Sequence, residues 1–247
     1  MLKSFIYMFK DTNFWKKYLS LFGVVLIANL LINWSGTLAP AIEGDKASIW
    51  YYILFFTGLI VMFIPYGYSI SALKTKLDET KELPSLDIVK NFIAGLKVFI
   101  SGLILLAVVL IVAFVLLVIN SIITDLLGTQ FGVVSNVILF LMLLIVAFFG
   151  IAMCCRYVVK PSYLNFLNFK AAAKLINSNV SKYFKSFVLT ALSTAVIYLI
   201  TFISVSYLTL IGYAGLVIYC IIVSLLWSYQ IYLFAGLFSS AVDREKI

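Results

Sequence analysis

YVVKPSYLNFLNFKAAAKLINSNVSKYFKS, residues 157–186, lies between two uncharged apolar runs and contains no acidic residue. Arg156 precedes it, and Lys160, Lys170, Lys174, Lys182 and Lys185 lie within it. From Asn168 onward Phe169, Ala172, Ala173, Ile176, Val180, Phe184 and Phe187 recur at helical spacing. At about 100° per residue they share one sector, and Lys170, Lys174, Lys182 and Lys185 occupy the opposite one. That is the pattern of a cationic amphipathic helix lying on a membrane surface. Two roles fit its lysines. They satisfy topology and snorkel to lipid phosphates, or they recruit anionic headgroups or an acidic partner at about 1 kcal/mol per lysine.

The flanks extend this reading to the whole chain. Of 247 residues 64% are hydrophobic and 11% charged, with a mean hydropathy of +1.14. A soluble domain has roughly a quarter of its residues charged, so a water-soluble fold is excluded. A span needs about 20 mostly apolar residues. Six runs qualify: Tyr18–Ala39, Ile49–Leu73, Leu96–Ile119, Val133–Cys155, Phe187–Leu210 and Leu216–Ser240. With a cytoplasmic N-terminus, every one of the 18 Lys and Arg residues except Lys46 falls on the cytoplasmic side. The expectation is therefore a single polytopic membrane domain, residues 1–247. It is all-α, with six transmembrane helices in three hairpins and interfacial amphipathic helices on the cytoplasmic side. It sits in the inner or plasma membrane with both termini cytoplasmic. The net charge of +8 is explained by topology, and no nucleic acid is expected as a partner.

Local signals fill in the segments. Leu2, Phe5, Ile6 and Phe9 predict a short interfacial helix, and Asp11 to Asn13 a cap for the helix that follows. The long apolar run begins only after Lys16 and Lys17, which argues against a cleavable signal. Pro65 predicts a kink in the second span. Ser85 after Pro84 predicts the start of a helix with Leu86, Val89, Ile93 and Leu96 on its apolar face. Asn13, Asn91 and Asn179 each open a segment of Asn, apolar residue and Lys, which either repeats across three hairpins or matches by chance.

Chemistry is sparse. No histidine is present, so the commonest general base and metal ligand is missing. All ten acidic residues lie in loops or at span ends. No glycine-rich phosphate loop occurs, and Cys154, Cys155 and Cys220 have no paired metal spacing. No catalytic residue, metal or cofactor is expected, and the chain reads as a non-enzyme. Within the spans Asn29, Asn33 and Gln230 form a candidate intramembrane polar cluster, with Ser228, Thr201 and Ser204 nearby in their own spans. Such groups bond neighbouring helices or line a polar path.

The stretch GYSISALKTKLDETKELPSLDIVKNFIAGLK, residues 67–97, carries Gly67-Tyr68, Leu83-Pro84 and Gly95-Leu96-Lys97. Together with Arg156-Tyr157 and Ile211-Gly212 these resemble the pattern of the domain-of-unknown-function 4013 family, small prokaryotic multi-pass membrane proteins. The resemblance implies a six-helix membrane domain and brings no site residues. The leading expectation for function is an accessory or scaffold component with a basic cytoplasmic face at Lys170, Lys174, Lys182 and Lys185. It would meet anionic lipid headgroups and, beyond them, a membrane-protein partner or a second copy of itself. The alternative is a carrier or channel for a small or amphipathic solute, using Asn29, Asn33 and Gln230.

Overall fold

The computed structural model describes residues 7–38, 45–78, 82–127, 130–159, 168–208 and 211–242. Every element among them is helical. A 3-10 turn at Tyr7–Lys10 precedes α1 (Phe14–Leu38), α2 (Asp45–Leu77), α3 (Ile88–Leu127), α4 (Gln130–Val159), α5 (Phe169–Ser178), α6 (Val180–Leu208) and α7 (Tyr213–Ala241). Runs as rich in valine and isoleucine as α3 favour strands in water. In hydrocarbon each backbone N–H and C=O must be satisfied within its own segment, so the same runs become helices. Among the described residues four segments are long and apolar enough to cross a membrane: Phe14–Ser35, Ile49–Leu77, Val180–Leu208 and Tyr213–Ala241. Helix α3 has 40 residues, or about 60 Å, roughly twice the hydrocarbon thickness.

Two parts of the chain are each compact: α1, α2, α3 as far as Lys97, α6 and α7 in one, and α3 from Val98 with α4 and α5 in the other. In the first, α7 is the central helix, and α1, α2 and α6 all pack on it. Its second half is buried nearly all round, through Ser224, Ser228, Gln230, Tyr232, Gly236 and Phe238 among others. The α6–α7 turn places Gly212 at φ 68°, a left-handed conformation that glycine adopts without strain. In the second part, α5 packs on α4 and buries Ala172, Leu175 and Ile176.

Glycine also sets the closest approach in the first part. A Cβ on Gly67 would collide with the Asn91 carbonyl oxygen, and one on Gly95 with the Phe63 carbonyl oxygen. Helices α2 and α3 therefore meet backbone to backbone, as small residues permit in membranes.

Several local expectations change. Asp87, not Ser85, caps α3: its Oδ1 accepts the Lys90 amide at 3.0 Å. The face that α3 buries there is Asn91 and Gly95, while Val89 and Ile93 are exposed. Pro65 lies inside α2. Asn13 and Asn179 immediately precede α1 and α6, whereas Asn91 lies inside α3. The expected interfacial residues Leu2, Phe5 and Ile6 lie outside the described residues.

Candidate functional site

The lysine-rich stretch forms two helices, not one. The backbone turns at Asn179, with Lys170 and Lys174 on α5 and Lys182 and Lys185 on α6. At the start of α5, Asn168 Oδ1 accepts the Ala171 amide at 3.0 Å, a side-chain cap. All four lysines are exposed. On α5, Ala172 and Ile176 of the expected apolar face are buried, Ala173 is half-buried and Phe169 is exposed. On α6 the corresponding Val180 and Phe184 are 51% and 56% exposed, as an apolar face turned to lipid would be. The packed face of α6 is instead Tyr183, Ser186 and Ile197. Ser186 donates to the Leu237 carbonyl at 3.1 Å, and Tyr183 packs edge-on against Phe238. Periodicity alone could not separate these faces, because both Tyr183 and Phe184 are aromatic.

The polar residues within the helices divide into two places. Asn29 is buried and its Nδ2 donates to Ser224 Oγ at 3.0 Å, joining α1 to α7. Asn33 Nδ2 turns back to the Asn29 carbonyl at 2.7 Å. Gln230 Nε2 donates to Thr194 Oγ1 at 3.0 Å, joining α6 to α7. Ser224 and Gln230 are six residues apart on α7, hence about 9 Å along the axis and about 240° around it. Asn29 and Asn33 are thus brought together, and Gln230 lies on another side of the central helix. Gln230 Oε1 and Thr190 Oγ1 are buried without a partner, and so is Ser228 Oγ, about 200° around α7 from Gln230. Thr201 Oγ1 is likewise unpartnered.

The most connected polar group is one that the sequence reading treated as a helix cap. Asp11 Oδ1 accepts the Asn13 amide at 2.7 Å, while Oδ2 accepts Lys17 Nζ at 2.8 Å and the Leu83 amide at 2.6 Å. Lys17 Nζ also donates to the Leu83 carbonyl at 2.6 Å. The ion pair therefore clamps both backbone groups of Leu83 and ties the start of α1 to the segment before α3. Burial alone would raise the Asp11 pKa. The hydrogen bonds from Lys17, Leu83 and Asn13, with the Lys17 charge, outweigh it and hold the carboxyl below its ordinary 3.8.

One residue further on, the Pro84 carbonyl accepts the Tyr68 hydroxyl at 3.0 Å. That leaves Tyr232 as donor in its 3.0 Å contact with the Tyr68 oxygen. Tyr232 lies against Phe14 and Tyr18, so the network reaches α1, α2, α7 and the segment before α3. Ser71 Oγ donates to Asn91 Oδ1 at 2.9 Å beside the glycine crossing. Tyr68 and Pro84 stand out in the sequence, but their pairing across 16 residues carries no local signal.

In the other part, Arg156 in the last turn of α4 is 8% exposed, and its Nη1 has no hydrogen-bond partner. Neighbouring Cys155 and Tyr157 are buried with it. Cys154, Cys155 and Cys220 are free thiols. Among the described residues no group of His, Cys, Asp and Glu side chains has an arrangement that could hold a metal ion.

Long apolar helices joined by amides, hydroxyls and glycine crossings define a helical membrane protein. Residues 51–206 match the family model described as "Protein of unknown function (DUF4013)", and the chain belongs to that family. Neither the curated proteins nor the solved structures contain a match.

Proposed function

We propose that the protein is a non-enzymatic, six-span accessory or scaffold component of the inner or plasma membrane. In this reading the chain is one membrane domain of three hairpins, with both termini cytoplasmic. Its basic face meets anionic headgroups and leaves the helices free to bind a membrane-protein partner or a second copy. The observation that carries this reading is the use made of the intramembrane amides. Asn29 and Gln230 each hold one helix to α7, on different sides of it. Bonds of that kind stabilise a packed bundle and do not define one shared path. The exposure of Lys170, Lys174, Lys182 and Lys185 supports the basic face.

The test counts lipids bound to the solubilised full chain by native mass spectrometry. Wild type should carry several phosphatidylglycerol adducts that are lost as salt rises. Changing the four lysines together to glutamine should remove most of them. An unchanged count would sink the basic-face reading.

The carrier reading keeps one specific support, the unpartnered Gln230 Oε1 and Thr190 Oγ1. It predicts solute flux in proteoliposomes that falls on Gln230→Leu. Flux equal to that of protein-free vesicles would remove it.

A further inference from the structure

Helix α4 holds a buried positive charge with no partner among the described residues. Arg156 is more than nine-tenths buried and its Nη1 is unpartnered. No ion pair or hydrogen bond to its guanidinium occurs among the described residues. From Val98 to Ser178 the chain has one acidic residue, Asp125. It precedes the start of α4 at Gln130, whereas Arg156 is in the last turn of that helix. The 26 steps from Gln130 to Arg156 span about 39 Å of helix, so α4 keeps the two apart. The carbonyl end of α4 supplies roughly half an opposite charge, which offsets only part of a full cation. Buried guanidinium groups are found paired, and no partner for this one occurs among the described residues.

We propose that Arg156 is the anchor of an anion-binding site that takes a phosphate group at the end of α4. A guanidinium fork fits the two oxygens of a phosphate better than a point charge does. Helix α5, packed on α4, brings the exposed lysines Lys170 and Lys174 to the same part of the molecule. They raise the local concentration of anions, and Arg156 holds one of them. Burial makes this site less sensitive to salt than the lysines are. A phospholipid headgroup and free phosphate share the chemistry, and the experiment separates them.

The inference deepens the basic-face reading and fails separately from it. Full-length protein in detergent is washed in high salt and examined by native mass spectrometry and thermal unfolding. Phosphatidylglycerol, phosphatidylcholine or inorganic phosphate is then added. Wild type should retain one salt-resistant phospholipid adduct, or gain thermal stability with inorganic phosphate alone if the ligand is the free ion. Arg156→Gln should weaken that binding at least about tenfold, the worth of one charge-assisted bond. Arg156→Lys keeps the charge without the fork and should fall between the two. The quadruple lysine variant should lose its salt-sensitive adducts and keep the salt-resistant one. Equal retention by wild type, Arg156→Lys and Arg156→Gln overturns the site. So does an Arg156→Gln protein that is more stable than wild type while neither responds to any anion.

Discussion

Helices α7 and α3 are alike in composition and opposite in surroundings. Helix α7 is uncharged throughout, and α3 is uncharged from Val98 to Thr124. On α7, Ser224, Ser228, Gln230, Tyr232, Ala235 and Gly236 are buried. On α3, Leu110, Ile111, Phe114 and Leu117 are all more than half exposed. In water this would be inside out. In a bilayer, lipid tails are as apolar as leucine, so leucine gains little by leaving them. Small residues allow close approach and polar ones find partners, so these mark the buried face.

The largest test of that contrast is at the α2–α3 crossing. Gly95→Leu drives a side chain into the Phe63 carbonyl and should cost about 3 kcal/mol or more, seen as loss of a cooperative thermal transition in detergent. Phe114→Leu, on the exposed part of α3, should change stability by less than about 0.5 kcal/mol.

Next comes Asp11→Asn, which strands Lys17 and should cost about 3 kcal/mol. The folded Asp11 pKa is depressed, so its contribution is fully present above the ordinary 3.8 and lost as pH falls through the lower folded value. Melting temperature against pH should show that acid-side loss in wild type and lack this component in Asp11→Asn.

Tyr68→Phe releases the Pro84 carbonyl and should cost about 1 kcal/mol. Combined with Tyr232→Phe in a double-mutant cycle, it should be non-additive. The smallest effect belongs to Thr194→Val, which removes the Gln230 bond at about 0.6 kcal/mol. An effect there as large as that of Gly95→Leu would mean that polar bonds, and not close approach, dominate the packing.

The helices themselves were legible, because a 20-residue uncharged run has one stable backbone form in lipid. The motif residues Gly67, Tyr68, Pro84 and Gly95 were visible as a pattern without a reason. The structure supplies it: Gly67 and Gly95 form the crossing, and Tyr68 holds Pro84. What stayed hidden was long range. Asp11 reaches Leu83, 72 residues away, and Asn29 reaches Ser224, 195 away. Local spacing also drew one amphipathic helix where Asn179 divides two. On α6 the face that packs on protein, Tyr183, Ser186 and Ile197, lies apart from the apolar Val180 and Phe184, which are exposed.

The proposed function puts the basic stretches on the cytoplasmic side, and cysteine labelling in intact cells tests that most directly. In a variant lacking Cys154, Cys155 and Cys220, Lys46→Cys should react with an impermeant maleimide from outside. Lys174→Cys should react only after the membrane is opened. Labelling of Lys174→Cys in intact cells, with Lys46→Cys protected, would contradict the account.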